Sequence, residues 1–256
     1  MTNIHPTAII GKNVKFGHDV SIGPYTIIRD NVKIGDRTQI HAHALIGELT
    51  TIGEDCRIFH SAVVGEVNQD LKYNGEATQT IIGDRTIIRE FCTIHRGTKD
   101  KWKTTVGADC LLMAYAHVAH DVEVGCNVIL ANAATLAGHV TVGDFAIIGG
   151  LTGIHQFCKI GAHAMIGGGF RVTKDIPPYI RAAGEPIRFS GVNIIGLRRR
   201  GFSKESIKEL KHAYNLIFNS NFNVSGAVAE IKKSDHCDEV KSILKFIEKS
   251  DRGIIR

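Results

Sequence analysis

The stretch from Leu111 to Gly125, "LLMAYAHVAHDVEVG", sets His117 and His120 three residues apart, with Asp121 directly after the second. An imidazole with a neighbouring carboxylate can take a proton from a hydroxyl near neutral pH. The ring titrates near 6.5, and the carboxylate fixes its tautomer and stabilises the imidazolium that forms. No Ser or Cys stands beside the pair in a nucleophile setting. Direct attack by a substrate hydroxyl therefore suits these residues better than a covalent enzyme intermediate. The chain holds 13 histidines, so pairs also arise by chance, and the surrounding elements decide what these side chains do.

Those elements repeat every six residues. Counting in sixes from Ile4 to Val172, an apolar residue fills 26 of 29 positions, the exceptions being Asp70, Glu76 and Asp100. The following residue is Gly at 14 of the 29. Four residues after the apolar one the side chain is small or β-branched, as at Val14, Val20, Thr26 and Cys56. A helix cannot hold this period, because two turns take about 7.2 residues. On an extended chain the fifth position of one hexad and the first of the next share a face. Strand, corner and strand again then describe a triangular coil of three hexads, with glycine expected to make the tight corner. Stacked coils bury a continuous core and pair their backbones above and below.

The expected fold is an all-β solenoid of hexapeptide repeats over residues 1–180, with an α appendage over 181–256. Residues 65–81 and 98–105 lose the pattern and return in phase. They read as excursions from the coil, and such loops gather on the working face of repeat proteins. After Ile176 the two prolines of "IPPY" are expected to end strand pairing. Ile207, Leu210, Ala213, Leu216 and Ile217 then recur at helical spacing behind Ser203 as N-cap. Residues 224–233 and 237–249 read the same way, giving a small C-terminal helical domain that caps the coil.

Residues 18 apart share a column, stacked at roughly 4.7–4.9 Å. His120 then lies over Gly138 and Gln156, Asp121 over His139 and Phe157, and His155 beside Gln156. These groups meet on one outward patch, bordered by His117, with Gly138 baring backbone between the side chains. Three histidines are also a donor set for zinc, but no recognised ligand spacing is present, so neither metal nor cofactor is expected.

The net charge of +5 comes without a basic run interleaved with aromatics, which argues against nucleic acid. No apolar run of about 18 residues and no signal-like start is found, so no integral membrane segment and a cytoplasmic location are expected. The six cysteines lack CxxC spacing, and Cys56, Cys92, Cys110 and Cys158 occupy the small-residue position of the hexad. They read as buried hydrophobes in a reducing compartment. On residues alone, an acyltransferase using acyl-coenzyme A or an amine acceptor, a zinc hydrolyase of the carbonic anhydrase kind and a non-catalytic scaffold stay open.

The blocks "GEVNQDLKY", "TIHRGT", "LLMAYAHVAHD", "ILANAATLAGHV", "FAIIGGLTGIHQFCKIGAHAMIGG" and "GVNIIGLRRRGFS" add a resemblance that runs to the C-terminal "RGIIR". Together they resemble the UDP-N-acetylglucosamine O-acyltransferases of lipid A biosynthesis. The resemblance implies a left-handed parallel β-helix and a homotrimer with sites between subunits. It also implies transfer of an (R)-3-hydroxyacyl group from acyl carrier protein to the glucosamine 3-hydroxyl of UDP-N-acetylglucosamine.

By the same resemblance His120 is the general base, Asp121 its partner and the Gly138 N–H the oxyanion donor. Asp70 and Lys72 would hold the sugar and phosphates. His95, His117, His139, His155 and Gln156 would line the sugar and thioester pocket. Asn193, Arg199 and Arg200 would reach the nucleotide in a neighbouring subunit's cleft. Gly168, stacked over Gly150, would leave an acyl groove open for a long chain. Basic residues near the C-terminus would steer the acidic carrier protein. Glu185, Pro186 and Ile195 depart from the family pattern around the uracil and ribose.

Overall fold

The computed structural model describes residues 2–256, and in it most hexads become a two-residue strand and a corner. In Val20-Ser21-Ile22 the outer two residues are buried and the middle one faces out, the alternation an extended chain imposes. Successive strands join three different sheets, of 11, 9 and 8 strands, so three strands complete one coil. Coil-to-coil pairing is parallel with an offset of 18 residues, as in Asn3↔Ser21 and Lys15↔Lys33. It widens where the chain leaves the coil, to Val63↔Thr93 and Thr93↔His117. The result is a left-handed parallel β-helix with small helices at its C-terminal end.

Glycine does not make the corner in the way expected. The left-handed residue at the corners is the third after the inward apolar one and, apart from Gly169, is not glycine: Asn13, Tyr25, His43, Asp121, His139 and Phe157 have φ between 56° and 65°. Each such residue costs about 1–2 kcal/mol, and a hydrogen bond to the neighbouring coil offsets it, as from His139 N to His120 O at 3.1 Å. The hexad glycines have a different reason to be there. A Cβ on Gly35 would lie 2.5 Å from the carbonyl carbon of Gly53, and one on Gly107 would lie 2.5 Å from the Gly125 oxygen. The backbone of the next coil occupies the space of a side chain.

The small-residue position has a polar role as well as a packing one. Thr26, Thr38 and Thr86 are buried and donate to the corner carbonyls of His41, Gly53 and Gly107, each at 2.8 Å. Cys56 and Cys110 repeat the contact with sulfur, at 3.2 Å to Gly83 O and 3.1 Å to Gly125 O. Burial pushes these two thiols up to about 11 and that of Cys92 to about 12, which keeps them protonated and unreactive. All six cysteines are free.

The excursions are shorter than the loss of pattern suggested. Strands Gln79–Ile82 and Lys103–Val106 already pair within the coil, which leaves residues 67–78 and 96–102 outside it. The prolines do not end strand pairing either. Pro177 and Pro178 lie at a corner, where no ladder N–H is needed. Ile180–Ala183 continues the first sheet beside Met165–Ile166, past residue 180, and Arg188–Val192 turns back antiparallel to close it.

Helix α1 (Ile194–Arg199) follows and was not anticipated; Arg198 and Arg199 sit in its last turn. Helix α2 (Lys204–Asn219) is capped as expected, Ser203 Oγ accepting from Ser206 N at 2.9 Å, and it buries Ile207, Leu210 and Ile217. Helices α3 (Val224–Ile231) and α4 (Asp238–Glu248) complete the C-terminal end. The other end is bare by comparison: the inward Ile4 is 38% exposed, and the inward Ile10 and Phe16 are only half-buried. No helix among the described residues is long and apolar enough to cross a membrane.

Gly107→Ala should lower stability by about 1–3 kcal/mol through overpacking against the next coil. Gly153→Ala, whose added atom meets nothing within 4 Å, should stay within about 0.5 kcal/mol of the parent. Thermal unfolding of both variants checks this, and equal losses would remove the close-approach explanation.

Candidate functional site

Both excursions fold toward the nine-stranded sheet and, with it, enclose a cavity of about 940 Å³. Asp70, Lys72, His95, His117, His120, Gly138, His139 and Gln156 line it, brought together from one loop and four coils. Asp121 lies beneath the wall.

Asp121 is the residue whose setting the repeat misplaces. Its corner position faces out of the coil, yet the side chain is fully buried, because the second excursion covers it. Thr98 donates to it twice, from N at 2.9 Å and Oγ1 at 2.6 Å, and Lys101 N reaches it at 3.3 Å. His120 Nδ1 stands 2.9 Å from the remaining side of Oδ2. Burial would raise the carboxyl, but the bonds from His120 and Thr98 outweigh it and hold the group at about 2. Asp121 is therefore ionised throughout the neutral range.

His120 responds in the opposite direction. Its hydrogen bond to Asp121 raises the imidazole above 6.5 against the effect of burial, with Asp70 and Asp100 adding to the rise. With Nδ1–H donated to Asp121, Nε2 is the nitrogen left to accept a proton. Beside it stands Gly138, where a Cβ would lie 2.6 Å from the His120 ring, so a side chain there would displace the imidazole.

At several corners the equivalent N–H is closed by an aspartate from the next coil: Lys12 by Asp30 at 2.7 Å, His18 by Asp36 and Cys126 by Asp144, both at 2.8 Å. At residue 138 the next coil supplies Gln156, which is exposed, and no acceptor among the described residues takes the N–H. A free backbone donor thus stands beside a base, an arrangement suited to a developing oxyanion.

The remaining histidines are neutral lining. Burial lowers His117, and it lowers His95 to about 4. His117 Nδ1 pairs with Thr93 Oγ1 at 2.7 Å. Burial also lowers His139, which stacks on Phe157 at 4.5 Å and keeps Nε2 3.7 Å from both Asp100 and Asp121. Lys72 N donates to Asp70 Oδ1 at 2.9 Å, which ties these two loop residues together.

Other expected residues lie elsewhere in the single chain. His155 is exposed outside the lining, 3.1 Å from Gln156 O. Gly150 and Gly168 stack at a different corner, where a Cβ on Gly168 would lie 3.0 Å from Gly150 O. Asn193 is buried as the N-cap of α1, accepting from Gly196 N and donating to His163 O at 3.0 Å. Arg199 lines a second cavity of about 570 Å³ with Ile147, Met165 and Ile195. Arg200 turns inward over Phe145, 5.2 Å from the ring centroid, and donates to Phe145 O.

Thr98, Asp100 and Thr104, whose Oγ1 accepts from Asp121 N at 2.9 Å, were not expected as site residues. Asp100 breaks the hexad phase, which shows that the chain leaves the coil there but not where it lands.

His120, Asp121 and His139 are the only group among the described residues whose metal-ligand atoms fall within 4.8 Å of one another. They do not fit a metal. The four lone-pair positions of the Asp121 carboxylate are already taken by Thr98, Lys101 and His120, and its Nδ1 bond leaves His120 a single free nitrogen. Asp121→Asn should move the His120 pKa down, to 6.5 or below, because the bond that raises it is lost while the burial that lowers it remains. NMR titration of the His120 ring reads this; an unchanged value would detach the two residues.

The family model described as Udp N-acetylglucosamine O-acyltransferase, domain 2, matches residues 175–255, and the bacterial transferase hexapeptide repeat model matches residues 1–35 and 15–48. The acyl-[acyl-carrier-protein]–UDP-N-acetylglucosamine O-acyltransferase of Paraburkholderia phymatum is 48% identical over the full length of both chains. Among solved structures, LpxA from Acinetobacter baumannii superposes with a TM-score of 0.96 at 46% identity, covering 99% of each chain. The UDP-N-acetylglucosamine acyltransferase from Campylobacter jejuni gives 0.94 at 39% identity, again covering 99% of each. With the same coil, the same C-terminal helices and near-half identity from end to end, the chain belongs to the UDP-N-acetylglucosamine O-acyltransferase family.

Proposed function

We propose that the protein transfers an (R)-3-hydroxyacyl group from acyl carrier protein to the glucosamine 3-hydroxyl of UDP-N-acetylglucosamine, the first step of lipid A biosynthesis, in the cytoplasm. The observation that carries the chemistry is the His120–Asp121 pair beside the free Gly138 N–H. His120 Nε2 takes the hydroxyl proton as the oxygen attacks the thioester carbonyl. The Gly138 N–H donates to the oxyanion that forms. Collapse of the tetrahedral intermediate expels the carrier thiolate, and the His120 imidazolium returns its proton to that sulfur. Asp121 stabilises the cation between the two steps without accepting the proton.

Asp70 and Lys72 hold the sugar and its phosphates. His95, His117, His139 and Gln156 line the sugar and thioester pocket, with His155 exposed next to Gln156, and burial keeps His95, His117 and His139 uncharged around the neutral sugar hydroxyls. Gly150 and Gly168 leave the acyl groove open, which favours a long chain.

A homotrimer is supported by the outer faces of the coil. Ile87, Leu111, Ile129, Ile147 and Met165 form an apolar column on one sheet, and Ile9, Ile27, Leu45 and Val63 form another on the next. The corner between them shows Tyr25, Phe91, Tyr115 and Leu151, each more than 40% exposed. So many outward apolar residues on these two faces and the corner between them call for a partner surface. Two different columns fit a head-to-tail ring, which would bring Asn193, Arg199 and Arg200 near a neighbour's cavity. Sedimentation as a monomer would overturn the assembly.

Acyl transfer to UDP-N-acetylglucosamine from hydroxyacyl carrier proteins of several lengths tests the function. His120→Ala should lose about 10²–10⁴-fold in kcat while still folded. Wild-type kcat/KM should rise with pH through a value above 6.5, since the base must be neutral and Asp121 raises its pKa. Gly168→Met should shift preference to a shorter chain. Transfer only from acyl-coenzyme A, or none, would return the chain to the other hexapeptide-repeat enzymes.

A further inference from the structure

The first excursion carries two residues assigned to the sugar nucleotide, yet most of it is open to solvent: Val67 is 46% exposed and Leu71 wholly so. Asn68, only 7% exposed, is buried near the start of the loop, as Thr78 is at its end. Its amide donates inward to two consecutive carbonyls of the second excursion, Arg96 O at 3.4 Å and Gly97 O at 3.0 Å. Its Oδ1 accepts from Asp70 N at 3.1 Å, and Asp70 Oδ1 in turn accepts from Lys72 N at 2.9 Å. A chain of hydrogen bonds therefore runs from the second excursion, through one buried amide, to both residues on the first.

The same short segment grips the roots of the first excursion. Arg96 N donates to Glu66 O at 3.0 Å and Gly97 N to Gln79 O at 3.3 Å, one on each side of the loop. The buried Arg96 guanidinium reaches Gly65 O from Nε and Nη2 at 3.1 and 3.0 Å. Gly97 must be glycine, because a Cβ would lie 2.5 Å from Lys103 N. The next residue, Thr98, holds Asp121. Three consecutive residues thus set the loop on one side of the cavity and the carboxylate behind the base on the other.

We propose that Asn68 is a positioning residue for the sugar nucleotide, acting through Asp70 and Lys72, and that residues 96–98 hold it and Asp121 in one rigid frame. The inference rests on the reading that Asp70 and Lys72 contact UDP-N-acetylglucosamine. A neutral amide suits the place: it supplies two donors to carbonyls and one acceptor to a backbone N–H, which no carboxylate or aliphatic side chain can do.

The test measures calorimetric Kd for UDP-N-acetylglucosamine and steady-state rates for the full-length protein. Asn68→Ala should weaken Kd and raise KM for the sugar nucleotide about tenfold, the effect of one lost positioning bond. KM for the acyl donor and kcat at saturation should each change less than about threefold. In an Asp70→Ala/Lys72→Ala background the same change should add less than about twofold, because the groups it positions are gone. Asn68→Asp, of equal size but without the two donors, carries the test where the alanine variant does not fold. Thr98→Val should show the opposite split, a lower kcat with Kd retained, restored by Thr98→Ser. A wild type that transfers acyl groups while Asn68 variants keep Kd within about twofold, or lose equally in the double-mutant background, overturns the inference alone. A wild type that neither binds nor acylates the sugar nucleotide overturns the functional reading beneath it.

Discussion

The parallel hydrogen bonding between stacked coils is the constraint on which everything else depends. It fixes the distance between consecutive columns and gives each hexad position a fixed direction. Inward residues pack, corner residues stack, and a side chain 18 positions on arrives beside its counterpart. His120, Gly138 and Gln156 meet for this reason alone. The arrangement around His120 is thus built from lattice positions: with no side chain at Gly138 and no carboxylate at residue 156, a backbone donor stays open beside the imidazole.

The coil supplies positions, and the excursions supply environment. On the bare coil Asp121 would be a solvated corner carboxylate, like the partly open Asp109 or Asp55 that pair with arginines on another corner. Covered by Thr98 to Lys101, it becomes a buried anion with every lone pair engaged, and its effect on His120 is screened far less than it would be in water. The fully satisfied carboxylate has no lone pair left for a metal ion.

Most of the fold was legible because a six-residue period admits few alternatives and the apolar pattern keeps phase for nearly 170 residues. The convergence of His117, His120, Gly138, His139 and Gln156 followed from counting alone. Three things did not. The reason for the hexad glycines depends on the neighbouring backbone, which a single coil cannot reveal. The two prolines fell at a corner, where their missing N–H does no harm. The burial of Asp121 depends on where a non-repeating loop comes to rest, and a broken period carries no information about that. Asn193 and Arg200 belong to the same class, since their partners His163 and Phe145 come from coils far back in the chain.

The two ends of the coil are unequal, and this gives the molecule a polarity. The C-terminal end is closed by an antiparallel strand and helices, whereas in the first coil the inward Ile4 is 38% exposed and the inward Ile10 and Phe16 are only half-buried. In a nearly one-dimensional lattice, local opening begins where a unit has fewest neighbours and advances like a zipper. Amide exchange would then run as a gradient from the N-terminus, and the coils that carry His120 and Gly138, set well inside, would be shielded from fraying by the coils before them.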